Sequence, residues 1–400
     1  MILTNYNFEW LNSVPKKWHL DRVKNHFYIS DIQTKDFNNY PLLSLTMSGI
    51  KERNTDSNEG QLAESYEKYN LVDSSCIIFN PMDLISGWVD IPNIEGLISP
   101  SYIAIKARSK KINPHFIKYY FQSMYKEKVL FNFGEGVHYD YRWGLGKESL
   151  KNFLIPYPPI EYQNEVVSYL DEKIQKINDL ENKSKQTIKI LKEKILVLIE
   201  NVLTNEGVER TRLENILDLI ERPIKRVETE SYNKIGMYNW GNGIFKYPKE
   251  FGVELGDSKF KYIKEGDLLI SGQFAWEGSV SIVEKEYNNC IASHRFHVLN
   301  GHNGVILNQY LWAYFISQEG HWLLNVNSFG SGGRNRPLNI RRLLKEKIPI
   351  PDMDTQVEIK NLVLQYFKYK KQSEKRLNLL NEYRESLISE VTMGKSKVGN

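Results

Sequence analysis

The sequence predicts an α+β protein in which two globular domains are separated by two long antiparallel coiled-coil helices, with a pseudo-twofold internal repeat. Three observations lead to this prediction: a repeat over nearly the whole chain, two stretches with coiled-coil spacing, and short apolar runs between turn signals elsewhere. With 400 residues and 41% apolar side chains, the chain is long enough and apolar enough to form more than one core.

The internal repeat is clearest where a proline motif enters each predicted helix. The motif reads LIPYPPIEYQ at residues 154–163 and KIPIPDMDTQ at residues 347–356, with two prolines, an acidic residue and a glutamine in register. Weaker matches run collinearly upstream, such as Asp73 with Asp267. We therefore divide the chain into a first domain (residues 1–155), a central helical spacer (156–207), a second domain (208–348) and a distal helical region (349–400).

Two stretches have the spacing of long helices. Proline is absent between Pro159 and Pro223, and apolar residues recur there at steps of three and four, a coiled-coil seam that Glu181 and Ser184 interrupt. A rougher copy at about 356–391 is expected to be four residues shorter. We expect the helices to pack antiparallel as a spacer and subunit interface. The apolar residues assigned to this role are Leu170, Ile174, Ile177, Ile188, Leu191, Ile195, Leu198, Leu377, Leu380 and Leu387.

Composition limits the possible partners and compartments. The net charge is only +4, and the two helical regions together are neutral, so the positive surplus lies in the globular segments, where it favours DNA contact. Cys76 and Cys290 are too few for a disulfide framework or a cysteine-rich zinc site, which indicates a reducing cytoplasm and no metal. No stretch approaches the roughly 18 apolar residues of a membrane span, so no membrane contact is expected.

Each globular segment has a glycine-bearing loop shortly before its proline motif, at residues 134–143 and 328–336. Arg and Asn side chains read guanine and adenine edges bidentately, and glycine lets the backbone approach phosphate. A glycine-rich loop that merely turns the chain is the alternative for each residue. The residues that we assign to DNA binding are Lys51, Arg53, Asn54, His138, Tyr141, Arg142, Asn242, Arg295, Arg334, Asn335 and Arg336.

No catalytic constellation is visible in the sequence. Walker, His-Glu-x-x-His and Gly-x-Ser-x-Gly motifs are absent, and Asn80-Pro81-Met82-Asp83 lacks the second proline and the aromatic residue of an amino-methyltransferase motif. We therefore predict a protein that is not an enzyme and that binds no cofactor of its own.

The order of these features resembles the specificity subunits of type I restriction-modification systems across essentially all 400 residues. Besides the doubled proline motif, the resemblance rests on residues 14–18 (VPKKW), residues 99–102 (SPSY) and the two similar helix ends at 198–204 and 387–392. It implies two target recognition domains that read the halves of an interrupted double-stranded DNA site. It also implies two DNA methyltransferase (modification) subunits bound through the helices, motor-nuclease (restriction) subunits bound through those, and methyl donor and ATP bound by the partners.

Two other interpretations stay open at this point. One is a coiled-coil scaffold whose globular ends bind proteins without DNA specificity, and the other is an enzyme whose active site the motifs do not reveal. Salt-dependent, sequence-selective DNA binding in the presence of modification subunits would distinguish a specificity subunit from both alternatives.

Overall fold

The computed structural model describes residues 14–47, 49–53, 65–85, 87–136, 143–330, 336–396 and 398. Contacts divide the chain into two compact units, Met1–Glu181 with Arg376–Asn400, and Asn182–Lys375. Each unit therefore holds one globular domain together with one half of each long helix. The four segments defined above follow the order of the chain, whereas these units follow its contacts, and the segment boundaries stay a prediction.

The first unit is built from short strands and a few helices, as an α+β sequence predicts. Its central sheet is antiparallel, in the order β2-β9-β6-β7, and three strand pairs, β1-β10, β3-β4 and β5-β8, complete it. The elements are β1 (His19–Arg22), α1 (Val23–His26), β2 (Phe27–Ile29), β3 (Leu43–Thr46), β4 (Gly49–Glu52), β5 (Asn70–Val72), β6 (Cys76–Phe79), β7 (Val89–Asp90), β8 (Gly96–Ile98), β9 (Ile103–Ala107), α2 (Pro114–Lys126), α3 (Lys147–Asn152), β10 (Leu154–Tyr157) and the beginning of α4 (Ile160–Thr204).

The second unit repeats this plan, which confirms the internal repeat. Its central sheet has the order β12-β21-β18-β19, and the pairs β11-β22, β14-β15 and β17-β20 correspond to those of the first unit, with β13-β16 added. The elements are β11 (Arg210–Arg212), β12 (Leu217–Leu219), β13 (Ser231–Tyr232), β14 (Ile235–Met237), β15 (Ile244–Lys246), β16 (Glu250–Phe251), β17 (Phe260–Tyr262), β18 (Leu268–Ser271), β19 (Val280–Ile282), β20 (Ile291–Ser293), β21 (Phe296–Gly301), α5 (Asn308–Phe315), α6 (Gln318–Val326), α7 (Ile340–Leu343), β22 (Lys347–Pro349) and the beginning of α8 (Met353–Thr392).

Each central sheet is covered by an apolar helix. In the first unit, α2 begins at Pro114 with Asn113 as its N-cap, whose side chain accepts a hydrogen bond from the backbone N–H of His115 at 2.9 Å. Phe116 and Phe121 of this helix are fully buried in the core together with strand residues. In the second unit, α5 buries every residue from Tyr310 to Phe315. The aromatic runs of the sequence are therefore the centres of the two cores.

The two long helices pack antiparallel, as predicted. Helix α4 has 45 residues and α8 has 40, so the second is five residues shorter rather than four. Within the first unit, the Tyr162 hydroxyl near the start of α4 donates to the Val391 carbonyl near the end of α8 at 3.5 Å. Within the second unit, Leu191 and Ile195 of α4 share a core with Ile359 of α8.

A polar contact breaks the apolar seam between the helices inside the first unit. The Arg384 guanidinium donates to the Glu181 carboxylate at 2.7 Å and to the Asn178 side-chain oxygen at 3.0 Å. Both members of the ion pair are mostly covered, with 25% and 18% of their side chains exposed. A polar pair in a seam is satisfied in one register only, so this contact fixes the register of the two helix halves in the first unit.

A fully buried glutamine joins each globular domain to its long helix. In the first unit, the Gln163 side-chain oxygen accepts from the Asn113 N–H at 2.7 Å, and its amide donates to the carbonyls of Pro158 at 2.8 Å and Lys111 at 3.4 Å. We call this contact, and its counterpart at Gln356, the glutamine bridge.

The counterpart in the second unit has the same three connections. The Gln356 side-chain oxygen accepts from the Leu307 N–H at 2.9 Å, and its amide donates to the carbonyls of Pro351 at 3.0 Å and Val305 at 3.1 Å. Each bridge thus connects the first turn of a long helix to the loop that precedes α2 or α5.

Replacing Gln163 with Ala should destabilise the first unit by about 1–3 kcal/mol, because the backbone groups that meet this buried side chain lose a hydrogen-bond partner. Urea unfolding followed by circular dichroism measures the change. The matched control is Gln186→Ala at an exposed position of α4, which should stay within about 0.5 kcal/mol of the parent chain. Equal stability of the two variants would contradict the role given to the bridge.

Candidate nucleic-acid interface

In each unit, a loop leaves the central sheet and meets the glycine-bearing loop that the sequence singled out. In the first unit, the Leu145 N–H donates to the Pro81 carbonyl at 2.8 Å, and in the second, the Leu338 N–H donates to the Gly272 carbonyl at the same distance. The loops after β6 and β18 are therefore held by equivalent backbone contacts. These paired loops are the candidate nucleic-acid interface.

The loop after β18 is fixed from several directions. The Ser271 hydroxyl accepts from the backbone N–H groups of Gln273 at 3.3 Å and Phe274 at 3.1 Å. The Trp276 indole N–H donates to the Gln273 carbonyl at 3.2 Å. The backbone at Gln273 is thus preorganised, which is a requirement for precise recognition by its side chain.

A tight turn between β20 and β21 lies directly against this loop. The Gly272 N–H donates to the Arg295 carbonyl at 2.6 Å, and a Cβ at Gly272 would lie 2.7 Å from that oxygen. Only glycine permits this approach. The exposed Arg295 guanidinium in turn donates to the Gln273 side-chain oxygen at 3.2 Å.

Arg336 supports the same loop from the other side. Its guanidinium donates to the Asn325 side-chain oxygen at 2.6 Å and lies 5.1 Å from the ring centre of Trp276. The Arg336 side chain is half-buried, and its contacts with Asn325 and Trp276 are both within the domain. A cation over an indole ring stabilises both groups.

The first unit builds its loop with different side chains. The Asn80 side-chain oxygen accepts from the Met82 N–H at 3.1 Å, and the Tyr125 hydroxyl donates to the Asn80 carbonyl at 2.8 Å. The Leu84 N–H donates to the Trp143 carbonyl at 3.1 Å, which joins this loop to the glycine-bearing one. Asn80-Pro81-Met82-Asp83 is therefore part of a turn.

The predicted DNA contacts that the structure describes are spread over both units. Lys51 is exposed on β4, and Arg53 follows that strand and donates its backbone N–H to the Leu42 carbonyl at 2.8 Å. Asn242 is exposed in the loop between β14 and β15. Six further residues lie outside the described residues: Asn54, His138, Tyr141, Arg142, Arg334 and Asn335. Arg295 and Arg336 thus both contact the loop after β18, whereas Asn242 lies on the separate loop between β14 and β15.

Two lysines hold the loop of Asn242 to the long helices of the second unit. Lys192 of α4 donates to the Trp240 carbonyl at 2.8 Å, and Lys370 of α8 donates to the Asn242 carbonyl. Burial lowers the pKa of both lysines. Trp240 has a left-handed backbone with φ of +59° and stacks on His321 with ring centres 4.8 Å apart.

Sequence reasoning missed Gln273 and Trp276, which lie at the centre of the second unit's loop. They follow β18, whose apolar residues are a strand signal, and Ser271-Gly272 is a turn signal at its end. A polar side chain directly after that signal was the available indication. The contact with Arg295 depends on the pairing of β18 with β21, which the local sequence does not specify.

The ten helix residues assigned to the spacer and interface lie at the seam or beside it. Five are buried: Leu170, Ile177, Leu191, Ile195 and Leu387. Five are half-buried: Ile174, Ile188, Leu198, Leu377 and Leu380. A buried side chain offers little area to another subunit, so the half-buried residues are the ones with area left for a partner, and the interface role of the set stays a prediction.

The residues that the structure describes contain no group of three or more His, Cys, Asp or Glu side chains that could hold a metal ion. None of their helices is both long and apolar enough to cross a membrane. Cys76 and Cys290 are buried free thiols.

His297 pairs with Ile270 in the sheet beneath the loop of the second unit. Burial, and then the nearby Lys261 ammonium, lower the pKa of His297 to about 4 from the usual 6.5. Because the folded pKa is the lower one, stability from the neutral ring is present above about pH 6.5. It is lost as the pH falls towards 4, where the unfolded chain binds the additional proton.

We expect the free energy of unfolding of His297→Gln to change less between pH 6.5 and 4 than that of the parent chain. Denaturant unfolding at several pH values measures this slope. His294→Gln, at an exposed position in the neighbouring turn, is the matched control and should keep the parental slope. Parallel pH profiles for the parent and His297→Gln would show that this imidazole does not remain neutral in the fold.

Comparison with known proteins gives a consistent result. The family described as the type I restriction modification DNA specificity domain matches twice, at residues 28–190 and 205–382. A comparison with curated protein sequences found no match.

Two solved structures resemble the whole chain. One belongs to work on complex assembly and conformational transition of the type I R-M system, with a TM-score of 0.59 and 15% identity over 96% of this chain and 99% of that chain. The other is a type I restriction-modification system S subunit from M. genitalium, with a TM-score of 0.53 and 13% identity over 95% and 96% of the two chains. At such identities the likeness concerns the fold.

Proposed function

Since the chain belongs to the type I restriction modification DNA specificity family and is thus the DNA specificity subunit of a type I complex, we propose that each unit reads one half of an interrupted DNA site. The observation that carries the proposal is the double family match, once on each repeated half. Each half has its own sheet and its own pair of loops. Two independent readers in one chain suit a target with two parts.

The side chains that would contact DNA are exposed polar groups on the loops and on β4. Lys51, Asn242 and Arg295 are exposed and polar, and base edges are read by such groups in the major groove. We assign phosphate or base contacts to them, while the half-buried Arg336 holds its loop. We also keep the DNA-binding role predicted for the glycine-bearing loop residues that lie outside the described residues. Because DNA is the ligand, we place the complex in the cytoplasm.

Partner subunits would bind the long helices through apolar side chains that the fold leaves exposed. Ile190 and Val197 of α4 are exposed and one heptad apart, as are Val357 and Leu364 of α8. Exposed apolar side chains at helical spacing form the binding face for a partner helix. We propose that two modification subunits bind here, that motor-nuclease subunits join through them, and that these partners bind the methyl donor and ATP.

The purified chain, without partners, should show no methyl transfer, DNA cleavage or ATP hydrolysis. The chemical reason is the lack of nucleophile, metal or phosphate-binding motifs in its sequence. Incubation with DNA, radiolabelled methyl donor or ATP tests each activity, and the complete complex is the positive control. Turnover by the isolated chain would place a catalytic site on it and reject the proposal.

Exchanging one unit for that of another such subunit should change one half-site only. Because Leu387, Ile388 and Val391 of α8 belong to the core of the first unit, the exchanged piece should combine residues 1–181 with residues 376–400. Mapping modified sites on genomic DNA from cells with the complete complex gives the result. A simpler exchange of residues 1–155 is the control, and it should assemble less well because the core is then mixed.

The half-site read by the unexchanged unit should remain the same in both exchange variants. If both half-sites change together, the units are not independent readers. If the parent complex modifies DNA without sequence preference, the specificity function itself is wrong.

A further inference from the structure

The sheet register relates two loop positions of the second unit to each other. Ile270 of β18 is paired with His297 of β21. Gln273 lies three residues after Ile270, and Arg295 lies two residues before His297. Their side chains touch, with 3.2 Å between the guanidinium nitrogen and the amide oxygen. Both also line one open cavity of about 390 Å³.

The first unit has the same register with other side chains. Phe79 of β6 is paired with Ile103 of β9. Met82 lies three residues after Phe79, and Ser101 lies two residues before Ile103. Met82 is 50% exposed, and Ser101 is exposed in the turn between β8 and β9. Met82 is therefore the counterpart of Gln273, and Ser101 that of Arg295.

Hydrogen bonds support this equivalence independently of the strand pairing. A side-chain oxygen two residues earlier accepts from the backbone N–H in both loops: Asn80 for Met82 at 3.1 Å, and Ser271 for Gln273 at 3.3 Å. The residue between them, Pro81 or Gly272, accepts through its carbonyl from the backbone just after the glycine-bearing loop in both units. The backbone of the two loops is thus held alike, while the outward side chains differ in polarity and charge.

We propose that these two equivalent positions are specificity-determining in this chain, occupied by Met82 and Ser101 in the first unit and by Gln273 and Arg295 in the second. The proposal rests on the proposed function, since it assumes that each unit reads a half-site. The scaffold presents the same two points to DNA in both halves. The side chains placed there make the half-sites different.

The chemistry of the two pairs predicts different contacts. Arginine donates two hydrogen bonds to guanine O6 and N7, and glutamine bonds adenine N6 and N7. The contact with Gln273 uses one of the five guanidinium N–H groups of Arg295, so others can reach a base. Met82 offers an apolar contact of the kind that fits a thymine methyl group, and the Ser101 hydroxyl both donates and accepts.

The test replaces the second unit's pair with the first unit's residues, one at a time, in the complete complex. Gln273→Met and Arg295→Ser should each lower the preference for one base pair of the second half-site by about 5- to 150-fold, the discrimination of one bidentate contact. Sites modified in a randomised DNA library, read by sequencing, give this preference. The first half-site should be unchanged in both variants.

The matched controls carry the same replacements elsewhere on the same domain. Gln318→Met at the start of α6 and Arg341→Ser in α7 lie at exposed positions outside the loop pair and should keep the parental sites. Thermal unfolding of each variant verifies that the fold is retained. The reciprocal variant Met82→Gln, in the first unit, should alter the first half-site alone, so a poorly folded second-unit variant still leaves a decisive measurement.

Unchanged base preference in Gln273→Met, Arg295→Ser and Met82→Gln, with retained selectivity in the parent complex, would overturn the assignment of these positions while leaving the proposed function intact. Variants that alter the opposite half-site would overturn it as well. A parent complex without any base preference would instead reject the proposed function.

Discussion

Most of the architecture depends on how the loop before α2 or α5 obtains hydrogen-bond partners for its inward backbone groups. Each loop exposes residues such as Lys111 or Val305, yet it meets the first turn of a long helix at a fully buried glutamine. One glutamine, Gln163 or Gln356, uses its acceptor and both amide hydrogens there. No apolar residue could replace these bonds, because unpaired buried backbone groups cost free energy. The glutamine bridge therefore fixes the rotation of each helix start relative to its own domain.

With the helix start fixed, the domain can keep one scaffold and vary its loops. Both central sheets have equivalent strand orders. The loops after β6 and β18 each accept, through one carbonyl, a hydrogen bond from the backbone just after the glycine-bearing loop. Those contacts involve backbone atoms, so they place no demand on the outward side chains. Gln273 and Met82 can differ without any change in the strands below them. Stability and recognition thus reside in different atoms of the same loop.

The sequence was sufficient for features set by local spacing and by repetition. It predicted short strands from apolar runs between turn signals, and both long helices, because apolar periodicity and the proline motif are local signals. It predicted that the second long helix is four residues shorter than the first, and the observed difference is five. It missed Gln273, and it gave no sign that Arg336, assigned to DNA binding, contacts Asn325 and Trp276. Such contacts join distant strands, and periodicity carries no information on them.

The two halves are not equivalent in how tightly one hairpin is held. Two residues separate β3 from β4, whereas six separate β14 from β15. The longer loop contains Trp240 in a left-handed conformation, which costs about 1–2 kcal/mol for a residue with a side chain. Lys192 and Lys370 bond its carbonyls although burial disfavours their charge. Two ammonium groups thus anchor this strained loop to the helices of the second unit, while Trp240 and Asn242 stay exposed on it.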